Sequence, residues 1–199
     1  MEGSVSCGVP QGSVLGPLLF GLFINDLPLH ITNPDVVSDL FADDGSLHTS
    51  ARYVEHISAS LQHALSDVLK WCTAQRMVIH PQKTKSMIIT SQQKHQLKSL
   101  TLDLYLGSHS IEQVNSHRLL GVIIDSKLKW QLHINFVCKR VSQNLYLLNK
   151  LKHFVDADAQ KLFFHAHCLS HINYVSSAWC GASTNHKNDL ILCTDEELK

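Results

Sequence analysis

The sequence predicts an α+β protein with a helical appendage. Two observations carry that prediction. Strand-like and helix-like apolar patterns alternate along the chain to about residue 125, and only helix-like patterns follow. With 199 residues and 44% apolar content, the chain can bury a sizeable core as one domain or two small ones.

The elements follow in order. "GVPQGSVLGPLLFGLFINDLP" reads as a glycine-rich loop and a short helix, with Gly16-Pro17 at its start and Pro28 at its exit. That helix is apolar nearly all round, so it is expected to be buried. "DVVSDLFADDGSLHTS" reads as two strands about a tight turn, for which Asp44-Gly45 is the hairpin signal. Residues 52–76 place Val54, Ile57, Leu61, Leu65, Val68, Leu69 and Cys72 at helical spacing. "HPQKTKSMIIT" is a turn leading into a strand, "SQQKHQLK" an exposed loop, "SLTLDLYLGSHSIEQV" a hairpin about Gly107, and "RLLGVIID" a further strand. A long helix over 130–153 aligns Ile134, Val137, Val141, Leu145, Leu148 and Leu151. Another over 156–174 starts at Asp156 or Asp158.

Composition excludes some classes. The uncharged stretch 3–25 holds Pro10, Pro17 and five glycines, and its apolar piece "PLLFGLFI" falls far short of a membrane span of roughly 20 residues. Glu2, not a basic residue, precedes it, so no membrane partner or secretory signal is expected. The cysteines at 7, 72, 138, 168, 180 and 193 form no CxxC pair, and read as reduced, mostly buried thiols of an intracellular protein.

Net charge is zero, but its distribution is uneven. Residues 1–51 hold six acids and no Lys or Arg, whereas residues 68–152 hold thirteen Lys or Arg against Asp103, Glu112 and Asp125. An acidic block can hold metal cations while a basic block grips phosphate, although two solvated faces would show the same asymmetry. Asp43 and Asp44 sharpen the first reading. Adjacent carboxylates repel, and a shared cation relieves that repulsion. In a straight strand the two would point to opposite faces, whereas at a hairpin tip both are exposed at one end. A polar turn alone would also account for the pair. His167, Cys168 and His171 have a spacing that can bind zinc on a helix, with a mixed His and Cys helix face as the plainer reading.

The "PQG" block followed by "LFADD" resembles two sequence blocks of reverse transcriptases, most closely those of LINE-type, non-LTR retrotransposons. "HPQKTKSMII" is similar to the family's next block and "HRLLGVIIDSKLKW" to the one after, so the likeness runs from about Gly8 to Trp179. The resemblance implies a partial polymerase palm over 1–125, an antiparallel sheet with helices, and a helical thumb-like region over 126–199. It implies RNA-templated extension of a DNA primer with deoxynucleoside triphosphates, in which two Mg²⁺ ions stabilise the attacking and leaving oxygens. Mg²⁺ prefers carboxylate oxygens and phosphates, which suits aspartate.

Carried over by motif, Asp43 and Asp44 are the catalytic and metal-holding pair, with Asp43 the ligand and Asp44 its support. Gln11 would position the base pair, Gly12 would let backbone approach nucleotide or template, and Lys85, rather than Lys83, would bring charge near the triphosphate. Residues 118–125 would hold the primer end. Lys127, Lys129, Lys139 and Arg140, with Lys150 and Lys152, would lie on a thumb helix along the duplex backbone. The family's third carboxylate comes from an upstream D-x-x-x-A-F-D block, which no residue here matches. Asp39 stands about 13 Å along its strand from Asp43, too far to substitute, and Asp26 reads as a helix-end residue. Weak Mg²⁺ binding and little polymerisation by this chain alone are therefore expected, with the missing palm and fingers supplied by a longer polyprotein. A non-catalytic nucleic-acid-binding module and an inactive retrotransposon remnant are the alternatives.

Overall fold

The computed structural model describes residues 12–90 and 100–179. Gln11, the thiols of Cys7, Cys180 and Cys193, the loop expected over 91–98 and the tail from 184 lie outside them. The described residues fall into two compact units, those within Met1–Ser86 and Leu100–Gln113, and those within Met87–Ser99 and Val114–Lys199. The sequence pattern divides the chain at 125/126, after the hairpin that here belongs with the second unit.

In the first unit, α1 (Gly16–Ile24) and α2 (Leu27–His30) lead to a hairpin of β1 (Val37–Phe41) and β2 (Asp44–His48), then to α3 (Val54–Ala74). Ser13 Oγ accepts from the Gly16 N–H at 3.0 Å, opening α1 one residue earlier than the Gly-Pro signal suggests. Pro28 does not end the helical segment. It sits at the start of α2, where its missing N–H costs nothing.

The core of this unit gathers Leu27, Trp71 and Cys72, with Ile24, Leu40, Val68, Met77 and Ile79 packed around them. Here α1 departs from expectation, because none of its residues is buried. Leu18 and Leu22 are 62% and 69% exposed. Only one edge of the helix finds apolar partners, through Ile24 and through Phe23, whose ring centroid lies 5.8 Å from that of Trp71. An all-round apolar helix needs neighbours on every side, and the described residues supply them on one.

A carboxylate fixes how the hairpin is joined to this core. Asp67, buried on α3, accepts from the Thr32 N–H at 3.1 Å and the Thr32 hydroxyl at 2.7 Å, while Lys70 donates at 3.3 Å. The Thr32 bonds hold its carboxyl down at about 2, against an ordinary value of 3.8. They pin the link between α2 and β1 to α3, and Thr49 Oγ1 donating to the Asp35 carbonyl at 2.6 Å closes the hairpin base.

The remaining pieces of this unit are short. β3 (Lys85–Ser86) pairs in parallel with β6 (Glu112–Gln113), and β4 (Tyr105–Leu106) pairs with β5 (His109–Ser110) about Gly107 at φ +63°. Gln62 of α3 brackets Tyr105, accepting from its N–H and donating to its carbonyl. Among the described residues the strands form four separate two-stranded ladders, one of them parallel, rather than one continuous antiparallel sheet.

In the second unit, "RLLGVIID" is not one strand but most of a hairpin, β7 (Ser116–Leu119) and β8 (Val122–Asp125). Leu120 and Gly121 turn it at φ +46° and +88°, both in the left-handed region that two-residue hairpin turns use. Then come α4 (Gln131–Leu151) and α5 (Ala157–Phe164). Asp156 caps α5 by accepting from the Ala159 N–H at 2.8 Å. The expected single helix over 156–174 widens into a π-helical turn at His165–Leu169, then continues as α6 (Ser170–Asn173), with α7 (Ser176–Trp179) following. Val137, Val141 and Leu145 pack on Cys168, with Phe136, Phe164 and Ile172 around them. Such side chains contribute about 1.5–3 kcal/mol each when fully buried.

No helix among the described residues is long and apolar enough to cross a membrane. Cys72 and Cys168 are buried, Cys138 partly so, and none of the three is in a disulfide. Burial pushes the Cys72 thiol up.

Candidate functional site

The acidic pair sits where the β1–β2 hairpin reverses. Register fixes the turn: Phe41 pairs with Asp44 and Leu40 with Gly45, leaving Ala42 and Asp43 as the two loop residues. Ala42 carries the left-handed conformation, at φ +52°. The turn therefore lies two residues before the Asp-Gly signal, and Gly45 is a strand residue without positive φ. A Cβ there would meet Leu40 Cδ2 at 3.3 Å.

Strand alternation now sorts the side chains. Leu40 and Leu47 lie on the inward face, and Leu40 joins the Trp71 cluster. Val37, Asp39, Phe41, Asp44, Ser46 and His48 share the other face by register. Asp43 and Asp44 are both exposed, as expected of a tip, and Phe41 beside them is 65% exposed. Asp39 is engaged elsewhere, 3.3 Å from His48 Nδ1.

Two exposed carboxylates at one end of a hairpin suit a hard divalent cation in ligand type, since their oxygens are what Mg²⁺ prefers. They are too few to enclose one. Among the described residues no group of three or more His, Cys, Asp or Glu could hold a metal, so neither a third carboxylate nor a His167, Cys168 and His171 zinc set assembles. Cys168 is instead wholly buried in the α4 cluster.

The other sequence candidates are placed as follows. Gly12 has φ +83°, which explains the glycine, and a Cβ added to it would meet nothing within 4 Å among the described residues. Lys85 is largely covered and ion-paired with Glu112 across the β3–β6 ladder, whereas Lys83 is exposed. Asp26, beside α2, does not cap that helix with its side chain.

In the second unit, Lys127 and Lys129 are not on the helix where the family resemblance puts them. They belong to the turn before α4, in which Asp125 Oδ1 accepts from both of their N–H groups, at 3.0 and 3.1 Å, and Oδ2 from the Trp130 N–H at 2.8 Å. Leu128 and Trp130 are left-handed there, at φ +49° and +64°. Each such residue costs on the order of 1–3 kcal/mol, and the carboxylate over-determines the turn. Helix interiors have no room for that conformation, so α4 starts at Gln131. The side chains of both lysines remain exposed.

Lys139 and Arg140 are on α4, exposed with Gln143, Tyr146 and Lys150 in a stripe that begins at the half-buried Phe136. One member of this surface, Phe136, carries no sequence signal of its own, and Arg118, the first of the residues 118–125 expected near the primer end, joins it from the hairpin. Arg118, from β7, lies 5.0 Å from the Phe136 ring centroid, and Arg140 lies 5.7 Å from the same ring. His133, on the buried side of α4, accepts from the Ile123 N–H at 3.3 Å through Nδ1. Burial, and secondarily Arg118, holds its pKa below the ordinary 6.5.

An acidic hairpin tip lies on one unit of this α+β protein and an acid-free helix bearing Lys139, Arg140 and Lys150 on the other. Comparison with known proteins gives the family. Residues 3–124 match the reverse transcriptase (RNA-dependent DNA polymerase) family, and the chain belongs to it. It is 30% identical to a probable RNA-directed DNA polymerase from transposon BS of Drosophila melanogaster, over 96% of this chain and 22% of that protein. It is 27% identical to the RNA-directed DNA polymerase from mobile element jockey of Drosophila melanogaster, over 65% of this chain and 14% of that protein. A retrovirus-related Pol polyprotein from a type-1 retrotransposable element, R1 2, of Nasonia vitripennis is 25% identical over 86% of this chain and 43% of its own length. The chain thus spans less than half of each. No solved structure matches.

Proposed function

We propose that this chain supplies the aspartate-bearing hairpin and the thumb-like basic helix of a retrotransposon reverse transcriptase, which extends a DNA primer on an RNA template. The observation that carries the proposal is the placement of Asp43 and Asp44 at the exposed tip of a hairpin whose base is clamped by Asp67, within the region matched by the family. Asp43 and Asp44 are the residues that would hold Mg²⁺, and the ion would supply charge stabilisation for nucleotidyl transfer. The chain's own residues set the tip's geometry. The α3 clamp fixes the hairpin, the Phe41–Asp44 pair closes the turn, and Gly12 puts no side chain in the way of nucleotide or template. Lys85 needs to leave Glu112 before it can meet a triphosphate, while Lys83 is available. Further ligands, a third carboxylate among them, come from a companion palm and fingers segment, with primer and template along the second unit.

Mn²⁺ added to isotopically labelled chain tests the metal-holding role. The expected result is paramagnetic broadening confined to amides near Phe41–Ser46, at millimolar affinity, and its loss in Asp43→Asn. Broadening spread over all acidic residues, or unchanged in that variant, would overturn it.

The basic stripe on α4 favours a second reading, a nucleic-acid-binding module without catalysis. Binding with a steep salt dependence and no primer extension in any complemented form would select it.

A further inference from the structure

We infer that Phe136 is a positioning residue that pre-orders Arg118 and Arg140 as a two-guanidinium clamp for the phosphodiester backbone of a nucleic-acid duplex. The inference rests on the nucleic-acid reading above and adds a site whose central members no sequence motif joins. Three observations carry it.

The first is convergence. Arg118 comes from β7 and Arg140 from α4, yet both guanidinium groups sit on one ring, at 5.0 and 5.7 Å from its centroid. Phe136 itself is half-buried and packs against the Val137, Val141 and Leu145 cluster, so the ring is anchored. A long side chain loses rotamer freedom when it grips a ligand, and a ring that already holds the head group reduces that loss. The second is the absence of competition. Among the described residues no carboxylate pairs with Arg118, Lys139, Arg140 or Lys150. The acids nearest in sequence are engaged, Glu112 by Lys85, Asp125 by three backbone N–H groups and Asp156 by the α5 cap.

The third is shape. Two shallow, open depressions lie side by side on this helix, one lined by Phe136, Lys139, Arg140 and Gln143 and the next reaching Tyr146 and Leu147. Lys150 lies 5.4 Å from the Tyr146 ring centroid and repeats the cation-on-ring pattern. From Phe136 to Lys150 the stripe is about 21 Å long at 1.5 Å per residue. That matches the axial rise of roughly six base pairs of duplex, at about 3.4 Å each. Its rings hold cations in place along the helix, which suits charged contact to a phosphodiester backbone.

The test is fluorescence anisotropy of a mixed-sequence RNA–DNA hybrid of about 20 base pairs, titrated with the whole chain in EDTA without nucleotides. Catalysis plays no part in that readout, so loss of the metal site would leave it unmoved. Replacing both Arg118 and Arg140 by Gln should lower the slope of log affinity against log salt by about 2 and weaken binding more than tenfold at low salt. Lys161→Gln, an equal kind of charge change off the stripe, should leave the slope nearly intact. Phe136→Leu keeps every charge and should weaken binding about two- to fivefold with the slope unchanged, and Phe136→Tyr should restore it. Circular dichroism on each variant confirms the fold. A double variant with the parent's slope, a Phe136→Leu chain with the parent's affinity, or tighter binding to anionic lipid vesicles or to single-stranded DNA than to the hybrid would overturn the inference.

Discussion

Replacing Asp67 by Asn should loosen the attachment of the β1–β2 hairpin without touching its tip. The carboxylate makes three hydrogen bonds, two to Thr32 at 3.1 and 2.7 Å and one to Lys70 at 3.3 Å. Asparagine keeps the size, and its one oxygen can still accept both Thr32 bonds, which converge on Oδ2, but without the charge both weaken. The Lys70 contact is exposed at the lysine end and adds little. Hydrogen bonds to charged groups contribute about 1.5–3 kcal/mol each, and part of two is lost, so the expected destabilisation is about 2 kcal/mol. Hydrogen exchange read by mass spectrometry resolves where the loss falls. Peptides from α2 through β1 and from α3 should lose that protection, about thirtyfold in exchange rate, while peptides from α4 stay as they were. Thr32→Val should have a similar effect, and the double variant should cost far less than the sum. A change below about 0.5 kcal/mol, or an equal loss in α4, would refute the clamp. The pH dependence carries the same sign. The folded-state value, about 2, lies below the unfolded 3.8, so this stabilisation is complete above pH 3.8 and is lost as pH falls toward and through 2.

Other outcomes follow from the same geometry. Asp125→Ala removes the acceptor for three N–H groups and should cost the second unit about 2–3 kcal/mol, read as faster exchange in β8 and the first turn of α4. His133 is held below 6.5, so protonation opposes its buried state and its bond from Ile123. The stability it supports is complete above pH 6.5 and declines as pH falls through its folded value, which exchange in α4 between pH 7.5 and 5, corrected for intrinsic rates, should show. Gly45→Thr places a strand-favouring residue at a strand position, with Leu40 yielding by a few tenths of an ångström. It should slow exchange across β1–β2, a gain of about 0.5 kcal/mol; a loss would mean that Leu40 cannot yield.

The long helices are legible because their apolar residues recur with the helical period, and α3 and α4 begin and end within two residues of the pattern. The carboxylate pair is legible as a tip, but its turn is not located by the sequence. Asp-Gly commonly marks a turn, whereas here Ala42 takes the left-handed conformation and Gly45 lies in the ladder opposite Leu40. "RLLGVIID" hides its reversal because Leu120, an apolar residue, shares the turn with Gly121. The exposure of α1 is not legible because composition tells what a helix needs, not what stands beside it. The Asp67–Thr32 clamp and the reach of Arg118 to Phe136 join residues far apart in sequence, and no local pattern foretells such a meeting.

The measurement that bears most directly on the central claim is single-turnover primer extension on an RNA template. It would use Mg²⁺ and this chain mixed with a companion polypeptide carrying the upstream aspartate block of a relative. The account predicts extension that requires both polypeptides, falls at least a thousandfold, about 4 kcal/mol of barrier, in Asp43→Asn, and is little changed in Asp39→Asn. Extension that survives Asp43→Asn at the parent rate would contradict it.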